Sequence, residues 1–139
     1  MGRVTTEVSI FNLGDLYEVK QGRMTSDQVR RIVVQDALVD TGASKLALTP
    51  SLIALLGLTK RAGKRINAAS DPTMTGLYDT LRMEIMGREA TVDPIEIEEG
   101  TPILVGKIPL EAMDWVVDLG GQKLIGNPAH GGEHIIEMY

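Results

Sequence analysis

The stretch VRRIVVQDALVDTG, residues 29–42, limits what this chain can fold into more than any other. Ile32, Val33 and Val34 are β-branched, which stiffens χ1 and favours extended backbone over helix. The run is far too short to cross a bilayer, and it predicts a strand buried on both faces near its middle. The polar pair Gln35–Asp36 interrupts it and predicts a bend or bulge before Ala37, Leu38 and Val39 resume. The run then ends on a carboxylate, Asp40, followed by Thr41 and Gly42. A carboxylate there is costly unless it reaches water or a group that shares its charge or proton.

The rest of the chain is cut into similarly short pieces. VTTEVSIFN (4–12) alternates loosely and predicts a strand; DLYEVKQGR (15–23) leads through Leu16 and Tyr17 to a turn at Gln21–Gly22. TPSLIALLGL (49–58) predicts a helix: Thr49 can cap, Pro50 suits the first helical position and Gly57 the stop. Leu52, Ile53, Leu55 and Leu56 would form its buried side. Turns at Ser70–Asp71–Pro72 and Gly87–Arg88 predict hairpins between residues 64 and 97. TPILVG (101–106) reads as a short buried strand, IPLEAMDW (108–115) as a second helix opened by Pro109, and residues 116–126 as a closing hairpin turning at Gly120–Gly121. No repeat or linker is visible. This punctuation predicts one compact, mainly β domain over residues 1–139 with one or two short helices.

Composition narrows the function classes. With one Trp, three Tyr and one Phe in 139 residues, the core has to be aliphatic. A net charge of −5, with no basic stripe carrying aromatics, argues against a nucleic-acid partner. The absence of cysteine excludes disulfides and thiolate chemistry and fits a reducing compartment. The start MGRVTTEVSI lacks the apolar core of a signal peptide, and no run approaches ~20 apolar residues, so the expectation is a soluble, cytoplasmic protein without a membrane partner. Gly2 and Thr6 fit the loose myristoylation pattern, but no polybasic second anchor follows.

Taken alone, Asp40–Thr41–Gly42 is most simply a turn. Its setting is more specific: an apolar strand, Asp-Thr-Gly-Ala, a capped helix, hairpins, then two apolar residues, a glycine and another short helix. In ALVDTGAS (37–44), LTPSLIALLGL (48–58), ILVGKIPLEAMDWVVD (103–118) and, more loosely, NPAHGGEHIIEMY (127–139), the chain resembles the retropepsin-like aspartic proteases, the retroviral type also found as short single-domain bacterial proteins. The resemblance implies a mainly β, closed acid-protease barrel with one lobe per subunit. It implies an aspartic endopeptidase that hydrolyses peptides or proteins through two facing carboxylates, with no cofactor and no metal. Because the chain offers one good Asp-Thr-Gly, each subunit of a homodimer would contribute its Asp40. Thr41 would hydrogen-bond across the two-fold axis, Gly42 would keep the loop tight, and Ala43 would be the small residue beside the bound peptide. Residues 65–78 would be a flap closing over substrate, with Ala69, Ser70, Asp71 and Gly76 in it. Gly106 would let its strand pass close beneath the catalytic loop.

Two positions depart from the retroviral pattern. An acidic residue commonly follows the Ala, and an Arg the second Gly; here they are Ser44 and Lys107, so an ion pair that would brace the site is missing. WVVDLGG (115–121) imitates a second motif, but Leu119 replaces the threonine and Asp118 reads as a turn residue. HGGEH (130–134) spells H-x-x-E-H, as in some zinc proteases, yet Gly131–Gly132 oppose the helix such a site needs, and His130 and His134 are the only histidines. The bland reading is that His130, Glu133 and His134 are polar contacts of a tail packed near the dimer interface. Glu96, Glu98, Glu99 and the basic TKRAGKR read as solvated surface, and the seven methionines as core filler. A different class of function stays open at this stage: a dimeric binding or assembly module that keeps the fold without catalysis.

Overall fold

A computed structural model of the chain describes residues 3–60 and 75–133. Ten strands and three helices follow in order: β1 (Thr5–Asn12), α1 (Leu13–Lys20), β2 (Arg31–Val39), β3 (Leu46–Leu48), α2 (Pro50–Leu56), β4 (Thr75–Leu77), β5 (Leu81–Ile85), β6 (Arg88–Val92), β7 (Ile95–Glu96), β8 (Leu104–Val105), α3 (Lys107–Ala112), β9 (Trp115–Asp118) and β10 (Lys123–Gly126). Eight strands form one sheet in the order β4-β7-β3-β8-β2-β1-β5-β6, and β9 and β10 pair separately. The sheet curls into a half-barrel around an aliphatic core that includes Val8, Ile10, Leu46, Leu48, Met83 and Val105. The fold is mainly β with a few short helices. Among the described residues no helix is long and apolar enough to cross a membrane.

Local chemistry explains most element ends. In the β1–β2 ladder Thr6 faces Ala37 but Val8 faces Val34, so β2 carries one extra residue at Gln35–Asp36, the predicted bulge. β5 and β6 turn at Met86–Gly87, both with positive φ (48° and 83°), the conformation that suits a tight hairpin. Gly57 ends α2 at φ 67°, and a side chain there would collide with the Arg30 guanidinium. Thr49 sits at the N-cap without making a side-chain cap bond; the carboxylate of Glu99 instead accepts from the Ser51 N–H at 2.5 Å.

Three expectations need correction. Val33, in the middle of β2, is 51% exposed, so the strand is covered on one face only. Leu55 points to solvent, and Ile53 and Leu56 carry the buried side of α2. Residues 13–20 are helical, where sequence alone led only to a turn. That helix depends on distant partners. Asn12 accepts from the Asp15 N–H at 2.9 Å and donates to the Leu56 carbonyl at 2.7 Å. Buried Asp15 accepts from Arg30 Nε at 2.8 Å, Nη2 at 3.0 Å and its backbone N–H at 3.0 Å. The guanidinium, chiefly through hydrogen bonding, holds the Asp15 carboxyl below the usual carboxylate range.

Candidate active site

Asp40 is delivered by β2. That strand runs parallel to β8, while β3, the next strand in sequence, runs antiparallel to β8 on its other side. A strand from late in the chain is therefore inserted between two early neighbours, and residues 40–45 must arch over its end. Leu38 N–H donates to the Ile103 carbonyl at 2.8 Å and Asp40 N–H to the Val105 carbonyl at 3.0 Å, which fixes where the arch begins.

Hydrogen bonds inside and below the arch set its shape. Gly42 N–H donates to Asp40 Oδ1 at 2.9 Å, and Ala43 N–H to the Asp40 carbonyl at 3.0 Å. From below, Lys107 N–H donates to the Ala43 carbonyl at 2.8 Å, Ile108 N–H to the Ser44 carbonyl at 2.9 Å and Gly106 N–H to the Lys45 carbonyl at 3.1 Å. The first N–H groups of a helix have no partner within it; those of α3 are satisfied by the arch. A Cβ on Gly106 would lie 2.6 Å from the Lys45 carbonyl oxygen and 2.7 Å from the Lys45 nitrogen. The glycine is thus required by close approach, since its φ of −87° suits any residue. At Gly42 a Cβ would press on Asp40 Oδ1 at 3.2 Å.

Among the described residues, the upper side of the arch is left unused. Asp40 is half-buried and Thr41 exposed. Among the described residues no hydrogen bond engages the Thr41 hydroxyl, and no ion pair joins Asp40 to another side chain. Beside Thr41 lies a mostly apolar cavity of about 370 Å³, lined by Leu110, Trp115, Val116 and Val117 together with Lys107 and Glu111.

Of the flap residues, Ala69, Ser70 and Asp71 lie outside the described residues, and Gly76 falls in β4. The two ends of this segment are well tied. Lys60 and Tyr78 form an antiparallel bridge. Thr59 N–H and Oγ1 donate to Asp79 Oδ2 at 3.0 and 2.6 Å. Tyr78 Oη donates to Glu96 Oε2 at 2.8 Å, and burial, then Glu96, push the phenol pKa above its usual value. Sequence reasoning missed this root because its partners are about twenty residues apart and carry no local pattern.

The tail histidine also finds a definite place. His130 Nδ1 lies 2.6 Å from Asp114 Oδ2, and this contact, more than that of Asn127, holds the Asp114 carboxyl below its usual range. Arg88 stacks on Trp115 at 3.9 Å and donates to the carbonyls of Met113, Asp114 and Gly132, so residues 113–132 are tied to β6. Among the described residues no group of acids and histidines has metal-binding geometry; His134 lies outside them.

Comparison with known proteins adds to this geometry. A family model described as "Aspartyl protease" matches residues 28–125, most of the chain. The crystal structure of the retroviral protease-like domain of Ddi1 from Leishmania major is similar in fold, with a TM-score of 0.50 and 16% identity over 87% of this chain and 86% of that one. No curated protein sequence matches.

Proposed function

The chain belongs to the aspartyl protease family, and on that premise we propose that it is an aspartic endopeptidase whose site is completed by a second copy of itself. The observation that carries the reading is the arch: a strand-end Asp40 on a loop braced from below by three backbone hydrogen bonds, with one carboxylate oxygen and the Thr41 hydroxyl left without a partner among the described residues. A rigid loop with unused polar groups on one side is half of a site. Two Asp40 side chains facing across a two-fold axis would share one proton, because like charges that close cannot both ionise readily. The ionised member takes a proton from water as the water attacks the peptide carbonyl. The protonated member polarises that carbonyl and later protonates the leaving nitrogen. Both apparent pKa values belong to the pair.

The dimer face proposed here is the one carrying Thr41. The apolar cavity beside it and the separate β9–β10 hairpin, whose tip residue Leu119 is 81% exposed, give a self-complementary pairing apolar surface to cover. Residues 1–139 act as one lobe, residues 65–78 as the closing flap, and the absence of cysteine suits a cytoplasmic setting. The test is cleavage of an unbiased peptide mixture between roughly pH 4 and 7 by the wild type beside Asp40→Asn. Cuts made by the wild type alone support the proposal; cuts made equally by both, or none from a confirmed dimer, overturn it.

A further inference from the structure

Resting on the dimer proposed above, we infer that the cavity beside Thr41 seats the second copy, and that Lys107 of each chain pairs there with Glu111 of the partner subunit. The cavity, about 370 Å³, lies between Thr41 on the arch, Leu110 on α3 and Trp115, Val116 and Val117 on β9. Its walls are mostly apolar, and the two charges that line it, Lys107 and Glu111, are of opposite sign and one turn apart on α3. The contact between them is loose: Nζ and Oε1 are 4.0 Å apart and both side chains are 66% exposed. Screening and side-chain entropy leave such a pair little net attraction. Among the described residues neither side chain has another ion-pair partner, so both are open to exchange.

Charge complementarity favours a second copy as the occupant. Across a two-fold axis residue i meets j while j meets i, so a face that pairs with itself needs both signs. A face with only Lys107 or only Glu111 would set like charges against each other. With both, two α3 helices approaching antiparallel bring each Lys107 to the other chain's Glu111, and one sequence feature makes two ion pairs. The cavity also reaches Thr41, the neighbour of Asp40, so a copy seated on it adjoins the arch. Its β9 wall runs on towards Leu119, which is 81% exposed, and this extends the apolar surface to be covered. Ion pairs at the rim of such a surface lose part of their water and gain over the exposed contact within one chain.

Sedimentation of the full chain over a concentration series, read beside the emission of Trp115, the one tryptophan, tests this with Lys107→Glu and Glu111→Lys. The wild type should dimerise, and its emission should move to shorter wavelength as the cavity wall is covered. Each single swap sets like charges at two symmetry-related contacts and should weaken the dimer about tenfold, less so in high salt. The Lys107 N–H that donates to the Ala43 carbonyl is backbone, so the swaps leave the arch in place and urea midpoints should stay near wild type. An equal mixture of the two variants should recover association, because each heterodimer pairs opposite signs at both contacts. The double swap should recover it as a homodimer. Swaps without effect, or no recovery on mixing, overturn the inference and leave the dimer and the peptidase reading standing. A wild type that stays monomeric overturns the inference and the dimer together. An emission shift driven by added peptides and not by self-association gives the cavity another occupant and also overturns it. Association that obeys the swaps supports the inference even where no peptide is cut.

Discussion

Replacing Gly106 by Ala puts one methyl group where backbone already lies. The added Cβ would sit 2.6 Å from the Lys45 carbonyl oxygen and 2.7 Å from both Lys45 N and Ser44 C, well inside ordinary contact of about 3.5 Å. Neither neighbour is a flexible side chain, so the arch has to lift by most of an ångström. Lifting stretches three hydrogen bonds at once: Gly106 to Lys45, Lys107 to Ala43 and Ile108 to Ser44. At about 0.7 kcal/mol for each bond stretched, with about 1–3 kcal/mol for overpacking, the loss is on the order of 3–5 kcal/mol. Ala also restricts the unfolded chain, which returns at most about 1 kcal/mol. The net effect is about 2–4 kcal/mol of destabilisation, which a domain of ordinary stability survives. Urea unfolding should move its midpoint down by about 1–2 M, and peptidase activity should fall further than stability does, because the displaced segment carries Asp40. Gly120→Ala is the control: its new Cβ meets nothing closer than Asp118 Oδ1 at 3.5 Å, so its midpoint should stay within error of wild type. An unchanged midpoint and full activity in Gly106→Ala would refute the close-approach reasoning.

Other outcomes follow from the same contacts. Asp15→Asn removes the charge and replaces one of the two oxygens that accept from three Arg30 donors by an NH2 group, and should cost about 1–2 kcal/mol after allowing for the half-exposed guanidinium, read by urea unfolding. Since Arg30 depresses the Asp15 carboxyl, its contribution is present above the unfolded carboxylate pKa of about 3.9 and is lost as pH falls through the lower folded value; the variant should show a shallower loss of stability below about pH 4. Tyr78→Phe should cost about 1 kcal/mol and remove one late-titrating phenol from an ultraviolet titration. Because the folded pKa of Tyr78 is raised, the wild type should lose stability as pH climbs past about 10, and the variant less so. Arg88→Met keeps some packing on Trp115 but leaves the carbonyls of Met113, Asp114 and Gly132 without that donor; hydrogen exchange should quicken at the Gly132 and Glu133 amides.

Features that a few adjacent residues decide were readable from sequence. The Gln35–Asp36 bulge, the Pro50 start and Gly57 stop of α2, and the β9–β10 turn all have local causes. The order Asp40–Thr41–Gly42, and a glycine before the last helix, pointed to the arch and to the strand end it crosses. What stayed hidden is held by distant partners. α1 depends on Asn12 reaching Leu56 and Asp15 reaching Arg30; its own eight residues are weakly amphipathic at best. Apolar character alone puts Val33 and Leu55 inside, but it does not say which face of the β2 strand or of the α2 helix the fold leaves open. The Tyr78–Glu96 tie needs the β4–β7 pairing, and the loan of α3 donors to the arch needs the β8 insertion; no local pattern encodes either.

The central claim is that one working site needs an Asp40 from each of two copies. Mixing wild type with Asp40→Asn at constant total protein, with time for subunits to exchange, tests it directly. If both copies supply the dyad, activity falls as the square of the wild-type fraction, to about a quarter in an equal mixture. A linear fall, to about half in that mixture, would mean that each chain carries a complete site and would contradict the claim.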